Sequence, residues 1–350
     1  MRVAWLLSLV LLGKCRAIML FANTKAWDDV SRASAVAEPP LGEQELADVF
    51  AGVWTSLSSV CPSIPADGYS YVDVGIDDRL MNSEYPDYER VLGWASRSER
   101  LVDRVWKGML STRQRMDMMV DDGYTRLGTV RVGLTPPGGW FRGDASLCSY
   151  KFRLEDVLLH EILHLLGISS TVRKLDDGRL KIGLEYGSVC FPGEFDTHIH
   201  DSDMHLLVSP NCEFRSAFDG KYYVHGVQLY VAPNEFSPGT TMSHLQNPGA
   251  VLSPFVYACD PSGPIQLKYE DAKVLGAVGV SCATDALPHA TTLDYGGVQD
   301  PGGPSTAQNG STLPGVSLVE SGSPPTCSHS LSPWTVFLWS CCVLALASWR

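Results

Sequence analysis

The strongest periodic signal in the chain runs from Leu154 to Leu166, where apolar residues recur at three- and four-residue spacing and Gly167 is placed to stop the helix. Gln44–Leu57 repeats the pattern, with Leu46, Val49, Phe50, Val53 and Leu57 near one face, after the breaker Glu38-Pro39-Pro40-Leu41-Gly42. Helical spacing is also read over Tyr88–Leu110 and Tyr269–Val278. Alternation over Tyr69–Ile76 and β-branched residues over Leu127–Leu134 predict strands, and Pro136-Pro137-Gly138-Gly139 breaks the chain after the second. From 168 to 243 only short strand-like runs occur, at Lys181–Tyr186, His205–Val208 and Tyr222–Val231, between Gly, Pro, Asn and Asp. No fixed-period repeat is present. The expected order is a loose N-terminal segment (18–45), then an α+β domain (46–283) with a mixed sheet, one motif-bearing helix, a long insertion (171–240) and a short C-terminal part.

The two ends read differently. Arg2 followed by the apolar run Val3–Leu12, with small residues at Cys15 and Ala17, has the layout of a secretory signal, so 1–17 is excluded from the mature fold. Residues 284–323 are rich in Pro, Gly, Ser and Thr, too poor in apolar residues to recover their ordering entropy, and predict a stalk. Asn309-Gly310-Ser311 is an N-glycosylation acceptor within it. Small residues Ser321-Gly322-Ser323, a spacer, and the apolar tail Trp334–Trp349 have the layout of a GPI-anchor signal (324–350), with Ser321 the expected attachment residue. A single C-terminal transmembrane segment is the rival, though the tail is short for it. Both ends place the protein in the secretory pathway, on the extracellular face of the membrane.

Composition adds two constraints. With 27 basic and 39 acidic side chains the net charge is −12, which repels phosphate backbones and disfavours nucleic-acid binding. Of the ten cysteines, Cys15, Cys327, Cys341 and Cys342 fall in the two removed signals. The remaining six, Cys61, Cys148, Cys190, Cys212, Cys259 and Cys282, suit three disulfides in an oxidising compartment, with the pairing open.

The chemistry lies in His160-Glu161-Ile162-Leu163-His164. Residues i and i+4 share a helical face, so both imidazoles reach one ion, and H-E-x-x-H on a helix is a zinc-site spacing. Zinc lowers the pKa of a bound water to about 7, and Glu161, next to the first ligand, is placed to take its proton. The surrounding Val157, Leu158, Leu159, Ile162, Leu163, Leu165 and Leu166 predict a buried helix, where unliganded histidines would be costly. A catalytic zinc needs a third protein ligand and an open position. In the compact metzincin pattern H-E-x-x-H-x-x-G-x-x-H the third histidine would stand at 170, which here is Ser170, so the third ligand lies elsewhere. Candidates are His244, the cluster His198, His200 and His205 with Asp196, Asp201 and Asp203, the strand residue His225, and Glu185, 21 residues past His164.

The stretch His160–Ser169, the segment Met242-Ser243-His244-Leu245 about eighty residues later, and the turn Val251-Leu252-Ser253-Pro254 resemble the leishmanolysin family of surface zinc metalloproteases. The resemblance spans roughly residues 125–282 and includes the helix at Tyr269–Gly279. It implies a metzincin-like fold, His244 as the third zinc ligand and Glu161 as general base. Leu252 stands where that family has methionine. The expected function is a cell-surface zinc endopeptidase acting on proteins or peptides. The alternative is a surface adhesion or binding protein that keeps the fold without turnover.

Overall fold

In a computed structural model the described residues are 18–22, 40–64, 70–108 apart from 83 and 86–89, 125–214 apart from 137–138, 144–147, 149–150 and 187–188, and 220–290 apart from 232–235, 238, 257–258 and 260–262. The proposed signal peptide, Asn309, Ser321 and the apolar tail lie outside them. Among the described residues no helix is long and apolar enough to cross a membrane.

The fold is mixed α+β, with three α-helices and one five-stranded sheet among the described residues. Helix α1 (Glu43–Val60) starts at Gly42 with Glu43 and Glu45 in its first turn, where acidic side chains suit the exposed N–H groups. It buries Leu46 and Leu57 and packs against α2 (Leu154–Leu166) and β2 (Ser70–Asp77). Strand β6 (Thr125–Gly133) runs parallel to β2 and antiparallel to β3 (Val91–Arg97). Strand β1 (Ile18–Ala22) lies antiparallel to β3 and parallel to β13 (Phe255–Val256), giving the order β13-β1-β3-β6-β2. Helix α2 lies across β3, β6 and β1. All but two of its thirteen residues are buried, because it is the central layer of the core.

Three expectations are corrected here. Of residues 88–110, expected to be helical, the described part 91–108 forms β3 and the hairpin of β4 (Glu99–Val102) and β5 (Val105–Gly108). Both faces of β3 are largely buried, so Val91, Leu92 and Ala95 give a near-continuous apolar run in which strand and helix periods cannot be told apart. The hairpin turns through Asp103 and Arg104, both at positive φ (49° and 67°), without the usual Asn-Gly signal. The segment 18–45, expected to be loose, contributes β1 and the start of α1. Packing also continues past residue 283: Thr284–Ala286 form a 3-10 turn, the Tyr269 N–H donates to the Pro288 carbonyl, and Asn247 donates to the Ala290 carbonyl.

The insertion is built from two-to-three-residue strands: β7 (Arg173–Lys174) with β8 (Leu180–Lys181), β9 (Leu184–Tyr186) with β10 (Val189–Phe191), and β11 (Tyr223–Val224) with β12 (Val227–Gln228). Residues 205–208, read as a strand, make only isolated bridges, at Leu206 and Val208. The six cysteines among the described residues all pair. Cys190–Cys212 closes the insertion, Cys148–Cys259 ties the approach to α2 to the segment after β13, and Cys61–Cys282 joins the end of α1 to the segment after α3 (Tyr269–Ala277).

Candidate metal centre

His160 and His164 sit one turn apart on α2, and the chain returns 80 residues later to place His244 against them. The three Nε2 atoms lie 2.9 Å (His160–His164), 3.2 Å (His160–His244) and 3.2 Å (His164–His244) apart, and all three side chains are buried. Each Nδ1 faces a main-chain carbonyl: His160 to Val251 at 2.7 Å, His164 to Ile168 at 2.7 Å, His244 to Thr240 at 2.9 Å. A carbonyl only accepts, so each Nδ1 carries the hydrogen and each Nε2 presents a lone pair to the other two. Three lone pairs aimed at one buried point repel unless a cation stands between them. The edges of a tetrahedron around zinc at its usual Zn–N length are about 3.3 Å, close to the separations here, so the triad can hold a metal ion.

The surroundings keep these rings neutral. Burial pushes His160 and His164 well below the usual imidazole range, with the neighbouring histidines adding to it, and pushes His244 down to about 4. Glu161, next in the chain to His160, is fully buried, and among the described residues neither carboxylate oxygen has a hydrogen-bond partner. Burial alone raises its carboxyl well above the usual range. Its Oε1 would lie 3.2 Å from a Cβ at Gly93 of β3, a position that also leaves a Cβ 3.1 Å from the Arg131 carbonyl and from Val157. Glycine at 93 is therefore what lets helix, strand and carboxylate meet.

Two carboxylates hold the loops that deliver the ligands: Asp271, not foreseen as a site residue, and Asp196, read from the sequence only as a member of the insertion's candidate ligand cluster. Asp271 in the first turn of α3 accepts the N–H groups of Val251, Leu252 and Lys268, fixing the turn whose Val251 carbonyl orients His160. Burial outweighs those three donors and lifts its carboxyl to about 6. Asp196 accepts from the Ser170 hydroxyl and from the Thr171 and Gly193 N–H groups. Ser170, at the place of the compact motif's third histidine, receives its own support there, since its N–H donates to the hydroxyl of Ser243, beside His244. Acidic residues open all three helices, Glu43, Glu45, Glu155, Asp156 and Glu270 among them, so that signal does not single out Asp271, and Asp196 carries none. Past His164 the chain turns through Gly167 at φ 134°, whose carbonyl accepts from Arg97. Leu252 is fully buried.

The rival ligands lie elsewhere. His198 faces His225 edge-on at 5.6 Å, and His200 hydrogen-bonds the Asp201 carbonyl and stacks on Tyr223. Asp201, Asp203 and His205 form a partly exposed group that can also gather around a cation, built on a turn in which Asp201 accepts two main-chain N–H groups. Glu185 stands in β9, paired with Cys190 of β10. Compared with protein-family models, with curated proteins and with solved structures, the chain gives no match.

Proposed function

We propose that the protein is a zinc metalloendopeptidase of metzincin type, similar to leishmanolysin, with His160, His164 and His244 as ligands and Glu161 as general base. The observation that supports this reading is a fully buried, unpartnered carboxylate adjacent to three convergent imidazole lone pairs. A protein keeping the triad only for stability has no use for a carboxylate whose desolvation nothing offsets. Zinc in this position would supply a Lewis acid and a water acidic enough to lose a proton near neutral pH. With such a group held by the three histidines, Glu161 would be the residue to accept a proton on a carboxylate oxygen and return it to the departing amide nitrogen. The Val251, Ile168 and Thr240 carbonyls keep the three rings in one tautomer throughout.

The three disulfides are compatible with an extracellular protein. Attachment at Ser321 through a GPI anchor is proposed from the sequence, and release of the surface protein by a phosphatidylinositol-specific phospholipase tests it. The enzyme reading is tested by peptide cleavage with and without a chelator and after zinc is restored. Activity should vanish with the metal and return with it. Glu161→Ala should keep metal and fold while losing about 10²–10⁴-fold in rate. Metal binding with no cleavage by the protein, whether intact or cut between Ala33 and Ser34, would instead favour the adhesion or binding protein.

A further inference from the structure

Strand β1 is the first strand of the main sheet, N-terminal to α1, and it lies between two rims that both lead to the metal centre. On one side it is antiparallel to β3, with Leu20 opposite Gly93, the residue against which Glu161 Oε1 rests. On the other it is parallel to β13, with Phe21 opposite Phe255. Strand β13 leaves the turn at Val251, whose carbonyl holds His160. The rims of the slot are thus fixed to the general-base side and to the ligand side of the same site. Neighbouring strands are about 4.8 Å apart, so β3 and β13 stand about 10 Å apart with room for one strand. Among the described residues β13 has no other strand partner. Without β1, both rims would present free N–H and C=O groups, a template for any extended peptide.

The other elements are linked to one another without passing through β1. The β3-β6-β2 part of the sheet is continuous without it, and all three disulfides, including Cys61–Cys282, lie C-terminal to it. We propose that Ile18–Ala22 is a self-inhibitory strand that fills the slot in which a peptide substrate is bound in extended form, and that its displacement opens the site. Recognition in the slot is by main-chain hydrogen bonds, so the partner class is an extended polypeptide of about five residues. This rests on the peptidase reading for the identity of the competitor.

The test uses the whole chain with a specific protease site placed between Ala33 and Ser34, so that the strand is severed after folding. Amide hydrogen exchange over 91–97 is followed in the metal-free protein, and hydrolysis of a fluorogenic peptide in the zinc-loaded protein. Once the N-terminal fragment is washed away, exchange in β3 should quicken at least tenfold. The free peptide Ile-Met-Leu-Phe-Ala should slow it again, and hydrolysis should rise at least tenfold and be inhibited by that peptide. Leu20→Pro is the second variant, because in an interior strand every N–H bonds one neighbour or the other. It should give the same two changes with the thermal transition retained. Unchanged β3 exchange after the fragment has left, or a fragment that leaves only when the domain unfolds, overturns the proposal. Full hydrolysis before cutting also overturns it while sparing the peptidase reading. Faster exchange and peptide protection with no hydrolysis at any stage would leave the blocking strand standing and remove the peptidase.

Discussion

Replacing Glu161 by methionine should make the metal-free protein more stable while abolishing turnover. The carboxyl is fully buried and neither oxygen has a partner, so the folded state bears the desolvation of an unsatisfied polar group, worth about 1–3 kcal/mol. Methionine has similar volume, is flexible, and brings no group that needs a partner. A second contribution depends on pH. The folded pKa is raised above the ordinary 4.5, so at high pH the unfolded chain gains by ionising, and this penalty on the folded state disappears as pH falls to 4.5. The gain from Glu161→Met should therefore be larger at pH 8 than at pH 5. At about 2 kcal/mol the melting temperature rises by about 4–8 °C for a domain of this size. Differential scanning calorimetry of the metal-free proteins at both pH values measures it, with zinc content and peptide hydrolysis recorded on the loaded proteins. Hydrolysis should fall by about 10²–10⁴-fold with zinc retained. A variant that melts lower, or gains less at pH 8 than at pH 5, would show that the carboxylate is compensated and that the argument from burial is wrong.

His244→Ala should remove most of the bound zinc, whereas His198→Ala should leave it, as read by metal analysis of purified protein; equal content in both would sink the ligand assignment. In the metal-free state, His244 has its pKa depressed from 6.5 to about 4, so its contribution is intact above pH 6.5 and lost as pH falls through 4. Relative to His244→Ala, the parent should lose about 3 kcal/mol over that range in urea titrations, and a difference independent of pH would refute this. Gly93→Ala should cost about 1–3 kcal/mol and reduce hydrolysis at least tenfold with zinc retained, because the new methyl meets the Arg131 carbonyl and Glu161 together. Unaltered hydrolysis in that variant would place the reactive carboxylate elsewhere.

The helix α2 was legible because its period, its glycine stop and its metal spacing all agree in one short stretch. His160, Glu161 and His164 follow from that agreement, and the structure brings His244 to them as the resemblance implied. Strand β3 was not legible, since a strand buried on both faces loses the alternation that marks strands. The part of the insertion that returns His244 is held by Asp196, Ser170 and Ser243 through single hydrogen bonds between residues far apart in the chain, and no local pattern encodes such a set. The same holds for Asp271, whose partners are main-chain groups of a turn about twenty residues earlier.

The three carbonyls that orient the histidines belong to a valine, an isoleucine and a threonine, and none of those side chains takes part in the hydrogen bond. Many proteins entrust this task to carboxylates, which substitution can remove. Here the oxygen comes from the main chain, so a residue of similar size at each of these buried positions presents it unchanged. Mutational scanning for retained zinc should find Ile168→Val and Val251→Ile tolerated beside an intolerant Asp271. The donors stay aimed through every exchange that the packing itself accepts.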